Sequence, residues 1–123
     1  MVPDAALVSP AVRTRETWAA VAESSGSTAE PTWEGAVYSG SPTVVLEVLR
    51  GLPSAARTAM LVGHNPTVAS LCQLLDDGEG DPDATTALLR GFPAGAVAVF
   101  AVAGPWARMD RESGRLVDFH APD

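Results

Sequence analysis

Two segments of this chain, LVSPAV at 7–12 and LVGHNPTV at 61–68, have the same construction. Each leaves an apolar run, passes a short polar turn containing proline, and enters a stretch with helical spacing of apolar residues. Strands with no polar alternation are buried on both faces, and parallel strands joined by crossover helices provide that burial. The pattern therefore predicts a three-layer α/β/α domain with a mostly parallel sheet. Its active edge is the one where both turns lie, at the strands' carboxyl ends.

The rest of the chain reads consistently with that frame. AALV at 5–8 is the first predicted strand. Ser9 reads as a helix cap with Pro10 at the first helical position. The helix should run over 10–24, with Ala11, Thr14, Trp18, Val21 and Ala22 inward, and end before Gly26. A very short strand is expected at 36–38. Ser41-Pro42 repeats the cap signal for a helix through Val45, Val48 and Leu49 to Gly51. Residues 58–62 form the next strand, with Asn65 as cap and Pro66 opening a helix. Val68, Leu71, Cys72 and Leu75 share one buried face of it.

DDGEGDPD at 76–83 reads as a solvated loop without calcium-loop spacing, and 84–90 as one or two helical turns. A buried strand is expected over 96–103. Residues 106–109 and 115–119 flank DRESG and suggest a terminal antiparallel hairpin. Trp18, Trp33 and Trp106 read as core or rim packing, and Cys72 as a small core residue.

A length of 123 residues suits a single domain, 1–123, with a modest core. Net charge is −7, and all eight basic residues are arginine. Such a chain is a poor partner for nucleic acid or an anionic membrane. No apolar run is long enough to span a bilayer and the start does not read as a signal peptide, so the expected location is the cytoplasm. One cysteine excludes an internal disulfide and a thiolate metal cluster.

His64 is not needed to make its turn; Gly63, Asn65 and Pro66 suffice. Arg13 falls in the first turn of the other helix, with Thr17 one turn on. The helix dipole disfavours an arginine there, and a bound phosphate would reverse that sign. Each residue alone is compatible with a solvated surface position; together they outline an anion site at the strand ends.

SPAVRTRET at 9–17 resembles the Ser-Pro-x-x-Arg-x-x-x-Thr motif of the histidine phosphatase superfamily, and LVGHNP at 61–66 resembles its second histidine motif. FPAGAVAVF at 92–100 and GRLVDFHAP at 114–122 are similar to the SixA-type phosphohistidine phosphatases, although Ala94 stands where that branch often has threonine. The resemblance implies a phosphoglycerate-mutase-like fold and hydrolysis of a phosphoryl group through a phosphohistidine intermediate. It implies no metal or other cofactor, and a phosphorylated protein or small phosphate compound as partner. By resemblance Arg13 and His64 are catalytic and hold the phosphate. Glu34 is the position for the general acid that some branches carry, and the SixA type does without one.

The family's nucleophile is a histidine in an N-terminal Arg-His motif. The two histidines here are His64 and His120, and His120 reads as an exposed tail residue. The family's first strand and first helix are therefore expected to be absent, and the chain inactive as it stands. A groove between the 5–8 and 58–62 strands, or a non-native closure of them, is expected where that strand would lie. The alternatives are a non-catalytic phosphate-binding or interaction module and a small-metabolite phosphomonoesterase of the same superfamily.

Overall fold

A computed structural model of the protein describes residues 2–121, with the side chains of 38 and 39 outside the description. Strands β1 (Ala5–Val8), β2 (Thr32–Trp33) and β3 (Ala59–Val62) form a parallel sheet in the order β2-β1-β3. Strands β4 (Val97–Val102) and β5 (Gly114–His120) form a separate antiparallel pair. Helices α1 (Val12–Ser25), α2 (Gly35–Ser39), α3 (Pro42–Arg50), α4 (Thr67–Leu75) and α5 (Pro82–Leu89) connect them. The predicted α/β class with a parallel sheet and late antiparallel strands is what the chain adopts.

The uninterrupted apolar character of β1 follows from two-sided burial. Ala6 and Val8 face α1 and pack with Trp18 and Val62. Leu7 faces the other way, into a cluster with Val45, Leu46 and Leu49 of α3 and Leu71 and Leu75 of α4. That cluster also takes in Leu61 of β3 and Phe100 and Val102 of β4. A third cluster joins Cys72 to Ala84, Leu88 and the fully buried Leu116. Burying a leucine of this kind contributes about 1.5–3 kcal/mol.

Several local expectations are corrected. The strand expected at 36–38 is helical. Glu34 caps α2 by accepting the Ala36 N–H at 3.2 Å, and the strand lies earlier, at Thr32–Trp33. Ser9 does not cap α1, which begins at Val12 after Ala11 with no side-chain cap. Asn65 does not cap α4, whose flanking residue is Pro66. The antiparallel partner of β5 is β4; Trp106–Arg108 is a 3-10 turn instead. Its indole donates to the Ala56 carbonyl at 2.8 Å while Met109 is buried, and these contacts hold the segment out of a strand. His120 lies in β5, exposed, with Nε2 2.9 Å from the Asp118 carboxylate. Pro122, the last residue of the closing motif, is outside the described residues.

The expected groove between β1 and β3 is also absent. The two pair directly over their whole length, Ala5 opposite Ala59 through Val8 opposite Val62. The open positions lie elsewhere. β3 is the outer strand of its sheet, and β4 pairs on one side only. Both open edges border the cluster that contains Leu61 and Phe100. A further strand would therefore fit beyond β3 rather than inside the β1–β3 pair.

Asp4 ties the starts of β1 and β3 together. Its carboxylate accepts the N–H groups of Arg57 at 3.1 Å and Thr58 at 3.0 Å. Those bonds, led by the one from Arg57, hold its pKa below the ordinary carboxylate value. A folded pKa below the unfolded one gives stability that is present above the unfolded value and lost as pH falls through the folded value. The effect is modest because the group is exposed. Thermal unfolding followed from neutral into acid pH should fall more steeply for wild type than for Asp4→Asn. Parallel curves would show that Asp4 contributes nothing.

Candidate functional site

The two matched turns meet in space. Ser9, directly after β1, and His64, two residues after β3, are joined by a hydrogen bond between Ser9 Oγ and His64 Nε2 at 2.8 Å. Adjacent parallel strands with aligned ends place the two turns side by side. Ser9 is fully buried, and its carbonyl accepts the Thr14 hydroxyl at 2.7 Å. Thr14 also bonds the Ala11 carbonyl at 2.8 Å, which anchors the first turn of α1 to the strand end. His64 is half-buried. Either the ring N–H donates to the hydroxyl or the hydroxyl donates to a bare ring nitrogen, according to the tautomer.

Arg13 stands in the first turn of α1, exposed, and its side chain makes no hydrogen bond or ion pair among the described residues. The Thr17 hydroxyl one turn later donates to the Arg13 carbonyl at 2.9 Å, so Thr17 serves the helix backbone. Glu34 follows β2, and its N–H donates to the Val8 carbonyl at 2.9 Å, one residue before Ser9. Its carboxylate caps α2 and borders a cavity of about 300 Å³ with Leu7, Thr32, Glu47 and Val48. That cavity lies on the Leu7 face of the sheet, away from the α1 face.

Asn65 and Gly63 have packing roles that sequence reasoning missed. The Asn65 side-chain amide donates to the Phe92 carbonyl and ties the histidine turn to the FPAG loop ahead of β4. A Cβ on Gly63 would lie 2.8 Å from Val37 Cγ1 and 3.1 Å from Val68 Cγ2. Glycine is thus required for α2 and α4 to close on the turn, and not merely for close approach to a ligand. The site residue that reasoning overlooked is Ser9. Its position before Pro10 reads as a helix cap, and that reading conceals its bond to His64.

Cys72 is buried, and burial, assisted by the Asp76 charge, pushes its thiol up to about 11. It packs in the core and is a poor nucleophile at neutral pH. Among the described residues no cluster of three or more His, Cys, Asp or Glu side chains is placed to hold a metal ion. No helix among them is long and apolar enough to cross a membrane.

No protein-family model matches the chain. It is 31% identical over 116 residues to an uncharacterised protein of Mycobacterium leprae, covering 94% of this chain and 70% of that protein. It is 32% identical over 120 residues to an uncharacterised protein of Mycobacterium tuberculosis, covering 97% and 73% respectively. Among solved structures it matches a candidate phosphohistidine phosphatase SixA from Nakamurella multipartitia. That match has a TM-score of 0.83 and 30% identity, and covers 98% of this chain and 71% of the other. A candidate phosphohistidine phosphatase SixA from Agrobacterium tumefaciens matches at TM-score 0.71 and 28% identity, over 98% and 68%.

Proposed function

The chain belongs to the SixA-like histidine phosphatases, and from that membership we propose that it forms the phosphate-holding part of a phosphohistidine phosphatase. The nucleophilic histidine comes from a segment outside residues 1–123, which carry the site but do not turn over substrate by themselves. The Ser9–His64 hydrogen bond is the observation that supports this reading. It brings both strand-to-helix turns to one point at the carboxyl edge of a parallel sheet.

That point suits a phosphoryl group. α1 and α4 begin beside it, after Ala11 and Pro66, and each contributes the positive end of its dipole. Arg13 supplies a guanidinium that enters no ion pair among the described residues. Phosphoryl transfer mainly requires positioning and positive charge on the equatorial oxygens. Arg13 grips two of those oxygens. His64 donates to a third oxygen from a ring held in place by the Ser9 hydroxyl.

In the reaction a nucleophilic histidine nitrogen attacks phosphorus while the P–N bond to the substrate imidazole breaks. Water then cleaves the new P–N bond and releases phosphate. The departing imidazole has a conjugate acid of pKa about 6.5, so it leaves readily with a proton from solvent. An alkoxide leaving group would benefit from a general acid. The candidate at that position, Glu34, has its carboxylate engaged at the α2 cap. A P–N substrate is therefore preferred over an alkyl phosphate.

The test is calorimetric titration of residues 1–123 with inorganic phosphate. Wild type should bind, and Arg13→Ala and His64→Ala should each weaken binding by about 10-fold or more. Equal affinity in all three proteins would place the anion site elsewhere.

A further inference from the structure

Trp33 ends β2 with 48% of its surface exposed, and its ring offers an apolar face with a polar N–H at the edge. The Arg15 guanidinium carbon lies 5.1 Å from the ring centroid. Arg15 Nε also donates to the Pro10 carbonyl at 2.8 Å. Arg15 is thus held at two points, while its terminal N–H groups enter no ion pair among the described residues. One face of the indole is covered by a cation, and the exposed surface remains open to solvent.

The pair borders the phosphoryl site. Trp33 is in register with Val8, and Val8 with Val62, so the three form one row across the sheet on the α1 face. Ser9 and His64 follow the ends of that row. Neighbouring strands lie about 4.8 Å apart, so the Trp33 backbone is roughly 10 Å from β3. An extended peptide advances about 3.3 Å per residue, so three residues cover that span.

We propose that Arg15 and Trp33 form a docking clamp for a protein substrate. The clamp takes a carboxylate and an adjacent apolar side chain about three residues from the phosphorylated position. The inference rests on the phosphoryl-site reading above, and names its substrate class as a phosphorylated, locally acidic protein segment. Charge complementarity favours that partner. In a chain of net charge −7, Arg13 and Arg15 both belong to the first turn of α1, and Arg15 lies against Trp33. An acidic segment is steered there and repelled from most of the remaining surface. The planar guanidinium suits bidentate contact with a carboxylate, and the indole suits an aliphatic side chain beside it.

The test titrates the full chain calorimetrically with three probes. They are inorganic phosphate, a peptide carrying a phosphonate analogue of phosphohistidine with Glu and Leu three residues away, and the same peptide with those two residues changed to Gly. The Glu-Leu peptide should bind at least about 10-fold more tightly than either other probe. Arg15→Ala and Trp33→Ala should each remove most of that advantage and leave phosphate affinity unchanged, while Trp33→Phe retains part of it. Wild-type peptide affinity in both alanine variants overturns the clamp. So does an equal loss toward phosphate, which would indicate a general structural disturbance. If the Glu-Leu peptide binds through Arg15 and Trp33 but phosphate does not bind, the phosphoryl-site reading fails and the clamp stands. If no probe binds, both fall.

Discussion

A form of the protein that carries the nucleophilic histidine should lose about 10²-fold or more in kcat/KM when His64 is replaced by alanine, and a similar factor with Arg13→Ala. Charge on the transferring group is spread over its equatorial oxygens, and these two side chains are the proposed partners. His64→Ala removes a ring held by Ser9 before the reaction begins, and Arg13→Ala removes the guanidinium charge. Ser9→Ala should be milder, because it loosens the His64 ring without removing it. The double variant Ser9→Ala/His64→Ala should be little worse than His64→Ala, since the two side chains share one hydrogen bond. Additive losses would mean that Ser9 acts on its own. Near-wild-type activity in His64→Ala or Arg13→Ala would remove that residue from the site.

The parts of the fold legible in the sequence are those where one local signal had one meaning. AALV and the apolar end of the 58–62 run read as strands because they contain no polar residue, and both are strands. Ser41-Pro42 read as a cap, and Ser41 does accept the Val44 N–H at 3.4 Å. Val68, Leu71, Cys72 and Leu75 read as one face and pack inward.

The failures occur where the same local signal admitted two partners. Ser9 and Ser41 both precede proline, yet one hydroxyl caps a helix and the other bonds His64 across 55 positions of sequence. No local pattern encodes that distant partner. Asn65 offered the same ambiguity and bonds Phe92 instead of its own helix. Residues 106–109 read as the hairpin partner because they adjoin the DRESG turn in sequence, whereas β5 pairs with the more distant β4. Trp33 illustrates the limit for the site: its identity is visible in sequence, whereas its place beside Arg15 depends on the β1–β2 register.

Residues 1–123 in isolation should self-associate through the open edges of β3 and β4. Natural edge strands are protected by charge, proline, bulges or cover. β3 reads AMLV and β4 reads VAVFAV, without a charged residue or proline in either. Such sequences belong inside a sheet. β5 differs, because the 76–81 loop covers its outer side. Asp77 N–H donates to the Gly114 carbonyl at 2.9 Å and Asp81 N–H to the Leu116 carbonyl at 2.8 Å. β3 and β4 lack a comparable strand partner on their outer sides among the described residues. The open edges present rows of unpaired backbone N–H and C=O groups, a template for pairing with another chain. Pairing with a second copy would satisfy those groups, and so would a strand supplied from outside this segment. Light scattering across a concentration series should therefore show oligomers. Ala101→Lys places a charge on an exposed position of β4 and should shift them toward monomer. A wild-type chain that stays monomeric at high concentration and unfolds in one sharp transition would show that the two edges are satisfied within the molecule. In that case the phosphoryl site would need no added strand for its stability, although it would still need a nucleophile.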